Sequence, residues 1–475
     1  MTFSSLIFLT AFFPVTAIVY FLLSRFPRVR NGWLILASLV FYGWSGVQYL
    51  LIILASSVVN YALGLVVHRE GRRNKAYLVV SIVFNLLLLG FFKYFNFLVD
   101  NLNILCSQLF GVTFAAPRIP LPIGISFFTF QILSYVIDVY RGKVLPQRNY
   151  FKVLLYIVFF PQLIAGPIVR YIDIEREITS RRSTTEDVTE GILRFIRGLC
   201  KKVLIANQLA QIADAAFGNI PGCTSGTAWL GVICFTLQIY YDFSGYSDMA
   251  IGMGRMFGFH FLENFNYPYV SRSVQEFWRR WHISLSSWFR DYVYIPLGGN
   301  RKGKGRTYLN LIIVFFLTGL WHGAGWNFIV WGLFNGLFLL IERNGTVHRA
   351  LEKIPAFFRH VYAMLVVMVG WVFFETDTLE ASFAYLGKMF SFQSMSVSGL
   401  SAMLTPVMIA VLVFAVIFCT PILTAIRKRF CDRFPAAQVN NLLFAGKAAL
   451  YLAGLVFCVV KLATGEFNPF IYFRF

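Results

Sequence analysis

Charge is what this sequence has least of: 13% of its 475 residues are Asp, Glu, Lys or Arg, where soluble domains carry about 25%. With 58% hydrophobic residues and a mean hydropathy of +0.66, that scarcity excludes a soluble globular fold and predicts a polytopic membrane protein. Acidic residues are scarcer than basic ones, 22 against 42, for a net charge of +20. The basic excess is clustered in short loops, which is the topology pattern of membrane proteins and not a nucleic-acid-binding stripe. Cysteines number seven (Cys106, Cys200, Cys223, Cys234, Cys419, Cys431, Cys458) and show neither a C-x-x-C nor a His–Cys ligand spacing. Neither a metal site nor a disulfide framework is expected from them. Walker, G-x-S-x-G and H-E-x-x-H sequences are missing, which argues against an ATPase, a serine hydrolase and a zinc protease. The glycines of Gly252–Gly258 run G-x-G-x-x-x-G with no preceding strand, so they do not make a dinucleotide loop. No internal repeat is found. The apolar stretch Leu6–Leu23 lacks a basic n-region and a small-x-small cleavage site, and reads as a retained first span.

What is present is a series of apolar runs near 5–24, 33–46, 48–67, 77–98, 121–140, 151–169, 226–241, 308–341, 359–375, 405–425 and 443–463. They predict an all-α protein with about ten to twelve membrane segments, some broken or re-entrant, around a central tunnel. One domain spans 1–475, with a motif-bearing core at about 120–341. Leu121-Pro122-Ile123-Gly124 and Ala165-Gly166-Pro167 interrupt two of the runs, and irregular backbone at depth is tolerated only around a cavity. Basic clusters lie at Arg25/Arg28/Arg30, Arg69/Arg72/Arg73/Lys75, Arg301/Lys302/Lys304/Arg306 and Arg427/Lys428/Arg429/Arg433. The positive-inside rule makes these loops cytoplasmic and the N-terminus external. Residues 193–204 alternate basic and apolar faces, as in a helix lying in the interface with its cations near headgroups. Residues 272–296 interleave Phe277, Trp278, Trp281, Trp288 and Phe289 with Arg279, Arg280 and Arg290, marking the membrane boundary or a bent segment leading into a pocket.

Two histidines stand out. His322 lies inside the uncharged run Leu311–Ile341, whose 31 residues would reach roughly 46 Å as one helix, more than the ~30 Å hydrocarbon core. A titratable ring there is costly unless it faces protein or water, and so points to function. His282 sits in Trp278-Arg279-Arg280-Trp281-His282-Ile283-Ser284, again beside tryptophans. The plainer alternative is that each ring caps a backbone carbonyl between helices. His68, His348 and His360 lie beside basic residues at helix ends, and His260 is undecided. Gln238-Ile239-Tyr240-Tyr241-Asp242-Phe243-Ser244-Gly245-Tyr246-Ser247-Asp248 closes an otherwise uncharged run. Asp242 and Asp248 are six apart and do not share a face of a regular helix. A helix broken at Ser244-Gly245 would aim both into one cavity; alternatively they cap helix ends or pair with Arg255 or Arg279. A neutral imidazole in a low-dielectric pocket takes a proton from an attacking hydroxyl, which suits His322 as general base in acyl transfer. His282 would orient it, hold the acceptor or stabilise the oxyanion. Trp281 and Trp321 would wall the pocket from water, and Asp242, Ser244 and Asp248 are candidate substrate-binding groups.

At these residues the chain resembles the membrane-bound O-acyltransferase family, nearest its bacterial branch of alginate, peptidoglycan and cellulose O-acetylases and teichoic acid D-alanyl transferases. The likeness rests on Pro122-Ile123-Gly124-Ile125-Ser126-Phe127-Phe128, on Phe160-Pro161-Gln162-Leu163-Ile164-Ala165-Gly166-Pro167-Ile168, and on Tyr241 to Asp248. It continues through Phe277 to Trp288, Tyr294-Ile295-Pro296-Leu297-Gly298-Gly299-Asn300, and Gly319-Leu320-Trp321-His322-Gly323-Ala324. The resemblance implies a tunnelled enzyme with His322 as the essential base and His282 as the second motif histidine. It implies a multi-pass protein of the bacterial inner (cytoplasmic) membrane that passes an acyl group, most simply acetyl, to an extracytoplasmic polysaccharide or to an acyl-accepting partner protein. The donor would be an acyl thioester of the acetyl-CoA kind, with no tightly bound cofactor and no metal. The length and the Phe-Ile-Tyr-Phe-Arg-Phe segment (470–475) look more like the acetylase group. A D-alanyl transferase shares the motifs. A proton-coupled secondary transporter is the rival from another class, but transporters carry paired repeats, and here the polar motifs crowd into one third of the chain.

Overall fold

The structure, a computed structural model, describes residues 1–69, 71–431, 436–465, 468 and 471. Arg433 of the last basic cluster and residues 470 and 472–475 of the Phe-Ile-Tyr-Phe-Arg-Phe segment lie outside the described residues. The protein is an all-α polytopic membrane protein. Among the described residues, a two-residue hairpin pairing His68 with Arg73 and Arg69 with Arg72 is the only sheet. Two compact units divide the chain, Met1–Ile192 with Ala250–Leu262, and Leu193–Met249 with Glu263–Phe475.

The first unit opens with a π turn over Phe8–Phe12 and continues through α1 (Phe13–Leu22), α2 (Pro27–Gly43), α3 (Val47–Val67), α4 (Lys75–Phe110), α5 (Ile125–Arg141), α6 (Tyr150–Val158), α7 (Phe160–Leu163), α8 (Tyr171–Thr179) and the start of α9 (Thr185–Cys200). Helix α9 enters the second unit at Leu193, and a π segment, Lys201–Ala206, continues it there. There follow α10 (Asn207–Gly218), α11 (Ser225–Met256), α12 (Val274–Arg280), α13 (Ile283–Phe289), α14 (Gly303–His322), α15 (Trp326–Arg343) and α16 (Gly345–Lys353). The last are α17 (Ala356–Glu375), α18 (Leu379–Ser391), α19 (Pro406–Phe418), α20 (Ile422–Cys431) and α21 (Ala436–Ala463). Five described stretches are long and apolar enough to cross a bilayer on their own: Phe8–Arg25, Val47–Val67, Lys75–Phe110, Ala356–Glu375 and Gly446–Ala463. The remaining apolar runs form shorter or broken helices, consistent with half-spans packed in protein.

The interrupted motifs of the first unit are packing devices. Gly124 has φ +76°, and a Cβ there would lie 2.8 Å from the Leu163 carbonyl oxygen. The start of α5 therefore abuts the end of α7 at a distance only glycine allows. Helix α4 runs a dozen residues past the hydropathy window that predicted it. Its polar tail is used: Asn96 makes paired hydrogen bonds with the backbone of Ile119, and Asn103 with that of Phe114, so the returning loop is clamped along the helix.

In the second unit the run 308–341 is broken at Gly323–Gly325 into an antiparallel hairpin. Successive contacts pair Gly319 with Phe328 and Gly332 with Phe315. A Cβ at Gly319 would come within 2.4 Å of the Phe328 carbonyl and one at Gly332 within 2.3 Å of the Phe315 carbonyl. Small residues at both crossings let the two backbones touch, as membrane helices without a hydrophobic driving force require.

Two expectations change here. Helix α11 does not break at Ser244-Gly245; it is continuous from Ser225 to Met256, because Gly245 is consumed in a crossing where a Cβ would sit 2.8 Å from the Gly198 carbonyl. The amphipathic stretch 193–204 does not simply present its cations to headgroups. Arg194 and Lys201 reach Asp248 at 2.9 and 2.7 Å, and Lys202 reaches Asp242 at 2.5 Å. An alternating pattern is satisfied equally by lipid phosphates or by carboxylates on a neighbouring helix, and here the carboxylates of α11 win. The π segment directs consecutive lysines to acids six residues apart.

Candidate active site

His322 is the last residue of α14. Its ring is boxed edge-to-face by Trp321, Trp331 of α15 and Phe374 of α17, at centroid distances of 4.9, 4.9 and 5.2 Å. Such T-shaped contacts set the edge of one ring against the electron-rich face of the other. A Cβ at Gly323 would meet the Phe328 ring at 2.2 Å, and Phe328 in turn packs on Phe374 at 5.5 Å. The glycine after the histidine thus fits the ring that braces its box.

His282 lies at the break between α12 and α13 with φ +44° and ψ +54°. A non-glycine residue in that region is strained by about 1–3 kcal/mol and persists only where its surroundings enforce it. The enforcement comes from Asn264. Its Oδ1 accepts from the Ser284 hydroxyl at 2.8 Å and the Ser284 amide at 3.2 Å, and stands 3.1 Å from His282 Nδ1. Its Nδ2 donates to Ser247 Oγ at 3.1 Å, and because the Ser284 backbone N–H can only donate, the end of the amide facing it is the acceptor oxygen. Nδ1 of His282 is therefore the protonated nitrogen, and Nε2 carries the lone pair. That Nε2 is buried and has no hydrogen-bond partner among the described residues. Burial pulls the imidazole below its ordinary pKa and keeps the ring neutral. The ring packs edge-on to Phe243 of α11 at 4.6 Å and lies 6.0 Å from Trp321.

The structure thus brings His282, Trp321 and His322 together, with Trp321 near both imidazoles. Trp281 is turned away into an aromatic core with Phe265, Phe277 and Trp371, and is a wall behind the site. Asp242, Ser244 and Asp248 turn toward α9 and its π extension. Asp242 is neutralised by Lys202, the two side chains being 1% and 3% exposed, and its other oxygen accepts from the Ile471 amide at 3.0 Å. Asp248 is held by Arg194 and Lys201, and Ser244 Oγ lies 3.4 Å from Lys201 Nζ. The partners are these cations and not Arg255 or Arg279. Of the other histidines, His260 pairs with Glu177, His348 with Glu352, and His360 contacts the Ser271 carbonyl.

Asn264, Trp331 and Phe374 were not legible as site residues. Asn264 stands in an irregular stretch where no periodicity tells inside from outside. Two asparagines flanking Phe265 in an aromatic neighbourhood were the available signal.

Comparison with known proteins is consistent with this geometry. Residues 145–377 match the profile of the MBOAT, membrane-bound O-acyltransferase family, an interval that contains both histidines and the whole constellation. A probable alginate O-acetylase of Azotobacter vinelandii is 42% identical, aligned over 100% of both chains. A peptidoglycan O-acetyltransferase of Helicobacter pylori is 35% identical over 84% of this chain and 81% of its own. A teichoic acid D-alanyltransferase of Bacillus subtilis is 29% identical over 46% of this chain and 58% of its own.

Proposed function

This chain belongs to the membrane-bound O-acyltransferase family and is an O-acetyltransferase, and from that premise we propose that it moves an acetyl group from a cytoplasmic thioester to a hydroxyl of an extracytoplasmic polysaccharide of the alginate type. The observation that carries the reading is the pair of buried imidazoles that both neighbour Trp321, one of them with an open Nε2. His322 takes the proton of the acceptor hydroxyl as its oxygen attacks the thioester carbonyl. The C–O bond forms, the C–S bond breaks, and the proton passes to the leaving thiolate. Nε2 of His282 accepts a hydrogen bond from a neighbouring hydroxyl of the acceptor saccharide and so sets the direction from which the reacting hydroxyl attacks. The aromatic box keeps water from competing for the acyl group.

The end-to-end similarity to a probable alginate O-acetylase favours acetyl over D-alanyl, for which the similarity covers under half of the chain. The short basic loops support a cytoplasmic position for Arg301–Arg306 in a bacterial inner membrane, by the positive-inside rule. Helix α14 starts within that loop, and its 20 residues span about 30 Å. His322 then lies well past the midplane, out of reach of a coenzyme's phosphates, whose desolvation is prohibitive. The donor's pantetheine arm therefore enters a tunnel from inside, and the acceptor, or a partner protein that carries the acetyl onward, meets it from outside. The co-substrate is an acetyl thioester, with no tightly bound cofactor.

Purified protein in detergent, given acetyl-coenzyme A and an alginate oligosaccharide, is expected to release free thiol and to form an alkali-labile acetyl ester on the saccharide. Solute uptake into vesicles with no thiol release would favour a secondary transporter instead.

A further inference from the structure

Away from the histidines, the first unit buries two arginines side by side without an acid. Arg30, in the first turn of α2, is 7% exposed, and Arg181, two residues past α8, is 8% exposed. Arg30 Nη2 donates to the backbone oxygen of Arg181 at 3.2 Å, and both guanidinium carbons lie over the Tyr20 ring, at 5.1 and 5.6 Å. Arg181 Nε donates to Tyr20 Oη and to the Phe257 carbonyl, and Nη1 to Asn31 Oδ1. Among the described residues neither guanidinium has a carboxylate in ion-pair range. Glu177 offers Arg181 only its backbone oxygen, because its carboxylate is taken by His260. Among the described residues three buried polar atoms here have no partner, Arg30 Nε, Arg181 Nη2 and Ser183 Oγ; Ser183 Oγ and Arg181 Cδ both flank Gly258, 3.0 and 3.4 Å from where a Cβ there would lie.

Two like charges withdrawn from water near one aromatic ring, with donors unmet, are unfavourable unless a counter-charge completes the site. Ring faces offset part of the cost but accept no N–H in the manner of an oxyanion. Paired guanidiniums beside a hydroxyl are the donor set of a phosphate group, which takes several charge-assisted hydrogen bonds at once. Arg30 stands five residues past the first span, Phe8–Arg25, where a chain leaving the bilayer meets the headgroups. We propose that Arg30 and Arg181, with Ser183, form a binding site for a phosphate group, distinct from the histidine site. The phosphate belongs either to an anionic phospholipid or to a soluble phosphate ion, and the two sources are separable.

The test uses the full-length protein and reads its thermal unfolding midpoint. In one arm, protein in neutral detergent is titrated with sodium phosphate against sodium chloride at equal ionic strength. In the other, it is reconstituted in phosphatidylcholine nanodiscs with or without phosphatidylglycerol. A rise of the midpoint with phosphate supports the site and identifies the free ion; a rise only with phosphatidylglycerol supports it and identifies the lipid. Arg30→Gln must lose the rise in either case. This variant keeps the test open if Arg181→Gln fails to fold, because Arg30 makes a single hydrogen bond where Arg181 makes four. No rise in the wild type from either source, or an undiminished rise in Arg30→Gln, overturns the proposal.

Discussion

Replacing His322 by alanine is expected to lower acetyl transfer by at least ~10²-fold, the minimum contribution of a positioned general base, while the protein still inserts and folds. Alanine also empties a box whose walls are Trp321, Trp331 and Phe374, and a cavity of that kind carries its own stability cost. His322→Phe separates the two effects. A phenyl ring restores the edge-to-face contacts and supplies no base, so it should recover stability and not activity. Turnover above about a tenth of wild type in the phenylalanine variant, well over what loss of a base permits, would mean that the ring's role is packing.

Asp242→Ala is expected to destabilise the protein by about 3–5 kcal/mol, the usual consequence of leaving one charge of a buried pair without its partner. The ammonium of Lys202 is 3% exposed and lies 2.5 Å from the carboxylate, so removing the acid strands it. The double change Asp242→Leu with Lys202→Met should recover most of the loss, since a buried pair replaced by apolar groups of similar volume is often neutral. Thermal unfolding of the purified variants measures both. If Asp242→Ala unfolded like wild type but lost transfer, the carboxylate would belong to the chemistry and the pairing would be incidental.

These two residues also mark where sequence reasoning succeeds in this chain and where it stops. His322 was legible because a titratable ring inside an uncharged run has no cheap explanation, and a break in that run because it is too long for one span; that Gly323–Gly325 is where it turns was not. Asp242 was legible as a buried acid, but its partner was not. The lysine that neutralises it lies 40 positions earlier on a helix whose alternating pattern fits headgroups equally well. Gly245 looked like a breaker, yet its missing Cβ serves the crossing with Gly198. Sequence alone does not tell a glycine that bends a helix from one that lets another helix approach. Asn264 was hidden for a different reason. It acts from an irregular segment through a side-chain carbonyl, and holds His282 at a backbone angle that nothing local predicts.

The central claim, transfer of an acyl group across the bilayer at this pair of histidines, is tested most directly in sealed proteoliposomes sorted by orientation. A cysteine placed in the Arg301–Arg306 loop reports the orientation. Acetyl-coenzyme A labelled in the acetyl group is supplied on the face of that loop, and an alginate oligosaccharide on the opposite face only. Labelled ester on the saccharide, lost in His322→Phe, is the predicted result. Ester formed only when donor and acceptor share a side, or label crossing with no ester formed, would contradict it.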